Sequence, residues 1–162
     1  MLPLERLEEH LCHIEAALLR GVLETGRARP VDLGQAIADH VEADPQQQAV
    51  ARAPFMVAGT GRFDTRVMQW LGERVFCKVG AEGVYWAALP GLGLGVAIKM
   101  DDGNNARACA VVMACVILSL VQLKDTERDF MQRLAAPTLK NWNGTLVGAL
   151  RPAADLRIAP PA

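Results

Sequence analysis

The chain has 162 residues, a length that fits one domain built around one hydrophobic core. Hydrophobic residues make up 51% and charged residues 22%, and 17 basic against 18 acidic side chains leave a net charge of -1, which offers no electrostatic footprint for nucleic acid. Its single serine, Ser119, sits in the apolar run Val116-Ile117-Leu118-Ser119-Leu120-Val121, so serine catalysis by this chain alone is nearly excluded.

In chain order, Leu4, Leu7, Leu11, Ile14, Leu18 and Val22 recur at helical spacing, with Glu5, Glu8, Glu9 and Arg20 off that stripe, and predict an amphipathic helix over Leu4 to Thr25. Those glutamates also interrupt the apolar stretch that a secretory signal would need, and a reducing cytoplasm is the expected compartment for Cys12, Cys77, Cys109 and Cys115. The cysteines lie among Ala, Val and Met, where the thiol behaves as a small hydrophobe. His10 and His13 have metal-like helical spacing, but no second pair completes a site, and an ordinary helix surface explains them. Shorter helices are expected over Val31 to Val41 and Gln46 to Arg52. A glycine-rich loop around Gly59-Thr60-Gly61-Arg62 then leads, with Asp64 or Thr65 as cap, into a helix ending at Leu71.

The middle of the chain changes character. Val75 to Val79, Val84 to Leu89 and Gly95 to Met100 are short apolar runs separated by Gly80-Ala81-Glu82-Gly83 and Pro90-Gly91-Leu92-Gly93, the pattern of an antiparallel meander. Asp101-Asp102-Gly103-Asn104 supplies turn and cap chemistry for a helix over Ala106 to Leu123, whose apolar core is too short for a membrane span and is expected to cover one face of the sheet. Thr126 to Leu134 reads as a last helical segment, Thr145 to Leu150 as a terminal strand, and residues from 153 onward as a Pro-rich tail. The expected class is therefore α/β of the α+β type, an antiparallel sheet with packed helices, in three stretches: a helical lead-in over 1–49, a main region over 50–152, and the tail over 153–162.

Two clusters carry chemistry. Lys78 lies in a strand directly before the glycine turn, where Gly80 would allow a ligand close to the backbone and exposed N–H groups could hold a substrate oxygen; a solvated edge lysine paired with Glu82 is the bland alternative. Arg62, flanked by Thr60 and Asp64, could hold an α-carboxylate in a bidentate fork, or could simply form an Arg–Asp pair in a helix-capping loop. Gly91, Gly93 and Gly95 lie between two strands and read as turn and packing glycines instead of a nucleotide loop.

Taken together, Met56-Val57-Ala58-Gly59-Thr60-Gly61-Arg62-Phe63-Asp64-Thr65, Lys78-Val79-Gly80-Ala81-Glu82-Gly83-Val84-Tyr85 and Gly93-Leu94-Gly95-Val96-Ala97-Ile98-Lys99-Met100-Asp101-Asp102-Gly103 resemble the bacterial L-asparaginase II family of the Rhizobium type. Asn141-Trp142-Asn143-Gly144 with Val147-Gly148 resembles that family's ending, so the likeness covers roughly Val50 to Pro152. It implies a serine β-lactamase-like fold and hydrolysis of the asparagine side-chain amide to aspartate and ammonia through serine and lysine residues. By that resemblance Lys78 is the catalytic lysine of the second Ser–Lys pair and asparagine is the small-molecule partner; the residue pattern itself assigns Thr60, Arg62, Gly80 and Glu82 to substrate binding, and Thr60, the one exposed-looking hydroxyl in a site-like loop, would serve as a nucleophile only beside a base that the sequence does not show. The family's SxxK serine element and its zinc-binding cysteine segment have no counterpart in Met1 to Ala49, so no cofactor or metal is expected. The chain is expected to be the family's C-terminal half, incomplete alone, with a complementary N-terminal half or a homo-oligomer as partner and an apolar surface exposed where that half would dock. A non-catalytic small-molecule or partner-binding module is the other expectation, and neither nucleic acid nor membrane is an expected partner.

Overall fold

A computed structural model describes residues 52–100 and 102–152, together with the backbone of residues 17–19. The elements are β1 (Ala17–Leu19), α1 (Pro54–Ala58), α2 (Phe63–Leu71), β2 (Phe76–Val79), β3 (Val84–Leu89), β4 (Leu94–Lys99), α3 (Ala110–Leu120), α4 (Asp125–Ala135), β5 (Thr138–Lys140) and β6 (Leu146–Ala149). This is a mixed arrangement of helices and antiparallel sheet, as the sequence pattern predicts.

The expected meander is present: β2 pairs with β3 and β3 with β4, all antiparallel, with Lys78 opposite Trp86 and Ala87 opposite Val96. The sheet gains a fourth member, because Ala17–Leu19 pairs with β4 and the strand order is β1-β4-β3-β2. The periodicity of Leu4 to Thr25 predicts helix there. The strand at Ala17–Leu19 corrects that reading for these residues, since a pairing partner for the open edge of β4 outweighs local helix propensity. The remainder of that expected helix, His10, Cys12 and His13, the helix over 31–41, most of the one over 46–52, and the tail from 153 lie outside the described residues.

Alternation places Cys77, Tyr85, Ala87, Val96 and Ile98 on one face of the sheet, and all five are buried. They share a single core with Val67, Met68 and Leu71 of α2 and with Val112, Met113, Val116 and Ile117 of α3. Cys77 and Cys109 are buried and Cys115 half-buried, as expected for thiols used as small hydrophobes. Trp70 stacks on Phe130 with centroids 4.6 Å apart, which locks α2 to α4.

The helix expected over 106–123 is shorter. Asn104 accepts the Ala106 N–H through its side chain, residues Asn105–Cys109 form a wide π-type turn, and only then does α3 begin. Ser119 is a further correction: it lies in the exposed last turn of α3 instead of the buried face, and its hydroxyl donates to the Cys115 carbonyl at 2.9 Å. Two hundred degrees of helical rotation separate it from Ile117, which faces the core. Among the described residues no helix is long and apolar enough to cross a membrane.

The terminal strand is half of a hairpin, β5 with β6, whose turn is closed by the Asn141 side-chain oxygen accepting the N–H groups of Asn143 and Thr145. Every residue from Thr138 to Ala149 is exposed, including Leu139, Trp142, Leu146 and Val147. Phe55, Met56, Trp70 and Leu92 are further exposed large apolar side chains.

Candidate functional site

The glycine-rich loop between α1 and α2 is built on backbone that glycine permits: Gly59 and Gly61 have φ of 86° and 70°. The hydroxyl of Thr65 donates to the Gly59 carbonyl at 2.6 Å and pins the loop over the first turn of α2. Arg62 sits extended at the N-cap position, exposed, with no side-chain capping bond. The cap role offered for Asp64 is not what the carboxylate does: its Oδ2 accepts the N–H of Val79, at the end of β2, at 3.1 Å. Asp64 is only 2% exposed. Burial raises its carboxyl above the ordinary range, opposed by the Val79 hydrogen bond and by the charges of Lys78 and Arg62.

Lys78 is half-buried on β2, and its ammonium donates to the Val79 carbonyl at 3.0 Å, so it is not the Glu82-paired edge lysine of the bland alternative. The exposed Gly80 N–H expected to hold a substrate oxygen is not free: it continues the pairing with β3, at 2.8 Å from the Val84 carbonyl, while the Gly80 carbonyl accepts from Asn105 Nδ2 at 2.7 Å. Glu82 is exposed and takes a left-handed φ of 54°. Its backbone carbonyl, not its carboxylate, is engaged, by the Lys99 ammonium. Gly83 donates no freedom to spare: a Cβ there would stand 2.9 Å from both the Cβ and the carbonyl oxygen of Met100.

The structure thus ties Asp64, two residues after Arg62, to the Val79 backbone that also receives the Lys78 ammonium, and places Gly80 and Glu82 on the turn that follows. Thr60 lies two residues before Arg62 on the exposed loop, and among the described residues no hydrogen bond or ion pair joins Thr60 or Glu82 to Lys78. Two residues that sequence reasoning did not assign to the site hold it in shape. Asn105 ties the glycine turn to the approach of α3, and Tyr85, opposite Val79 and edge-on to Phe63 at 5.7 Å, buries a hydroxyl that has no partner. Neither was legible, because each acts across a packing contact and belongs to no local motif. Among the described residues no group of three or more His, Cys, Asp or Glu side chains could hold a metal ion.

This arrangement provides one amine at a strand end, one exposed guanidinium at a helix start, and a buried carboxylate between them. Comparison with curated proteins returned no match. The family model for L-asparaginase II matches residues 27–152, which reaches upstream of Val50 and takes in the glycine-rich loop, the meander, α3, α4 and the hairpin. The match covers well over half of the chain, and the chain belongs to the L-asparaginase II family.

Proposed function

We propose that this chain is the lysine-bearing part of an asparaginase-type amidohydrolase, acting on L-asparagine in the cytoplasm to give L-aspartate and ammonia. The observation that supports it most is that the Asp64 carboxylate, two residues after Arg62, and the Lys78 amine meet on the backbone of Val79 within the family-matched region. Amide hydrolysis through an acyl intermediate needs a hydroxyl to attack the carbonyl carbon, a base to take its proton, and donors for the oxyanion. Lys78 is the base: it takes the hydroxyl proton and returns it to the departing ammonia, and then takes a proton from the water that attacks the acyl carbonyl, breaking the acyl bond to release L-aspartate and restore the hydroxyl. Arg62 holds the substrate's α-carboxylate at a distance from the reacting amide. Thr60, on the loop before Arg62, and Gly80 and Glu82, on the turn after Lys78, are the further substrate-binding residues of this reading.

The hydroxyl comes from outside this chain. Ser119 is its single serine, and its hydroxyl is spent on the Cys115 carbonyl in α3. The partner is a serine-bearing N-terminal half that restores a β-lactamase-like arrangement and covers the exposed apolar side chains. That serine count also favours a second reading, a binding module that keeps the amino-acid pocket without turnover.

Ammonia release from L-asparagine, measured on the chain alone and on the chain mixed with the SxxK-bearing N-terminal half of a family member, tests both. Turnover only in the mixture is expected. Calorimetric binding of L-asparagine without turnover in the mixture would establish the module, and absence of both binding and turnover would overturn the asparagine reading.

A further inference from the structure

Among the described residues β2 is the outer strand of its sheet, paired on one side only. Gly80 directs its N–H inward to β3, and backbone alternation therefore turns both the N–H and the C=O of Val79 outward. On an open edge such groups go to water. Here two side chains take them: Asp64 Oδ2 accepts the N–H at 3.1 Å, and the Lys78 ammonium donates to the C=O at 3.0 Å. We propose that Asp64 is the positioning residue of this site, fixing the end of β2 so that Val79 seats the Lys78 amine beside the segment that carries Arg62. The inference rests on the reading of Lys78 as the functional amine.

A carboxylate is more than the backbone tie requires. An asparagine at position 64 would offer the same acceptor oxygen without burying a charge, which is costly where no ion pair compensates it. Among the described residues Asp64 has no ion-pair partner. What the tie needs is therefore the acceptor oxygen at this position, which Asp64→Asn keeps and Asp64→Ala removes. Position 64 also closes the geometry, because it belongs to the first turn of α2 while its bond lands fifteen residues further on.

The test compares wild type, Asp64→Asn and Asp64→Ala as full chains. Hydrogen exchange is followed at the Val79 amide, and acylation by an amine-reactive ester is followed at Lys78, with exposed Lys99 and Lys140 as references and the buried Cys77 thiol as a reporter of the fold. In Asp64→Ala, Val79 exchange should rise about tenfold, the loss of one hydrogen bond, and Lys78 acylation should rise relative to Lys99 and Lys140. In Asp64→Asn, which keeps the acceptor oxygen, both Val79 protection and Lys78 acylation should return to the wild-type values. Lys78 acylation unchanged in Asp64→Ala with Cys77 still buried overturns the proposal, and so does an Asp64→Asn chain in which Val79 protection returns but Lys78 acylation does not. The asparagine reading fails separately, through full turnover by a Lys78→Ala variant in the complemented assay, and leaves these rates to decide the role of Asp64.

Discussion

Asp64 should set the pH dependence of folding near the site. Burial raises its carboxyl from the ordinary 3.8, so the folded chain binds a proton that the unfolded chain releases. The stability this confers is full below the ordinary value and is lost as pH rises through the raised one. Asp64→Asn cannot lose a proton, and urea unfolding of the two chains should diverge above about pH 4, with the variant the more stable at neutral pH. A wild type that gains stability relative to Asp64→Asn over that range would contradict the assignment. At the same scale, Lys78→Ala should depress turnover of the complemented enzyme far more than asparagine binding, whereas Arg62→Ala should mainly weaken binding, because in the proposed function one group serves the reacting amide and the other a remote carboxylate. The sequence marks all three residues but not their meeting. Alternation tells which face of β2 Lys78 occupies, while nothing local tells that the start of α2 abuts that strand's outer edge.

Elements were legible where one period dominates. The alternating apolar runs of β2, β3 and β4 stand where they are expected, and α4 matches its predicted span within a residue at each end. β1 and β5 were not legible, because each exists only through its partner: three residues of Ala17–Leu19 cannot outvote a helical stripe, and Thr138–Lys140 is exposed on every residue. Helix α4 also owes its docking to a contact no periodicity reveals. Glu127, 6% exposed, receives the Arg74 guanidinium at 2.6 Å and caps the Lys124 N–H at 3.0 Å, while Arg74 donates in addition to the carbonyls of Leu71 and Gln122. The Arg74 hydrogen bond holds the Glu127 carboxyl below its usual range, so this contribution is present at neutral pH and lost in acid. Glu127→Ala should cost about 1–3 kcal/mol in urea unfolding at neutral pH, because it strips a half-exposed Arg and a helix start of their acceptor. Gly83→Ala belongs to the same scale: with φ at 75° and Met100 2.9 Å away, the added methyl must displace backbone, and a lowered melting temperature with loss of the Glu82–Gly83 turn is expected.

For the whole molecule, composition and length establish one core but not what its outer faces meet. The described residues keep Phe55, Met56, Trp70 and Leu92 exposed on the body, and the β5–β6 hairpin exposes Leu139, Trp142, Leu146 and Val147, with Trp142 at 105% relative exposure. An isolated two-stranded hairpin is marginal in water, and a monomer rarely leaves apolar side chains of this size clustered on one projecting element. Under the proposed complementation the hairpin is a docking element, so the chain alone should associate with itself as concentration rises. Sedimentation velocity should show this, and Trp142→Ser combined with Leu146→Ser and Val147→Ser should return a monomer. Because these side chains contribute nothing to the buried core, the triple change should leave the urea midpoint of the body nearly unmoved, within about 0.5 kcal/mol of wild type. Asparagine turnover in the mixture should fall in the same variant while Lys78 remains intact. A wild-type chain that stays monomeric at all concentrations, together with a triple variant that turns over asparagine normally in the mixture, would remove the hairpin from the docking surface.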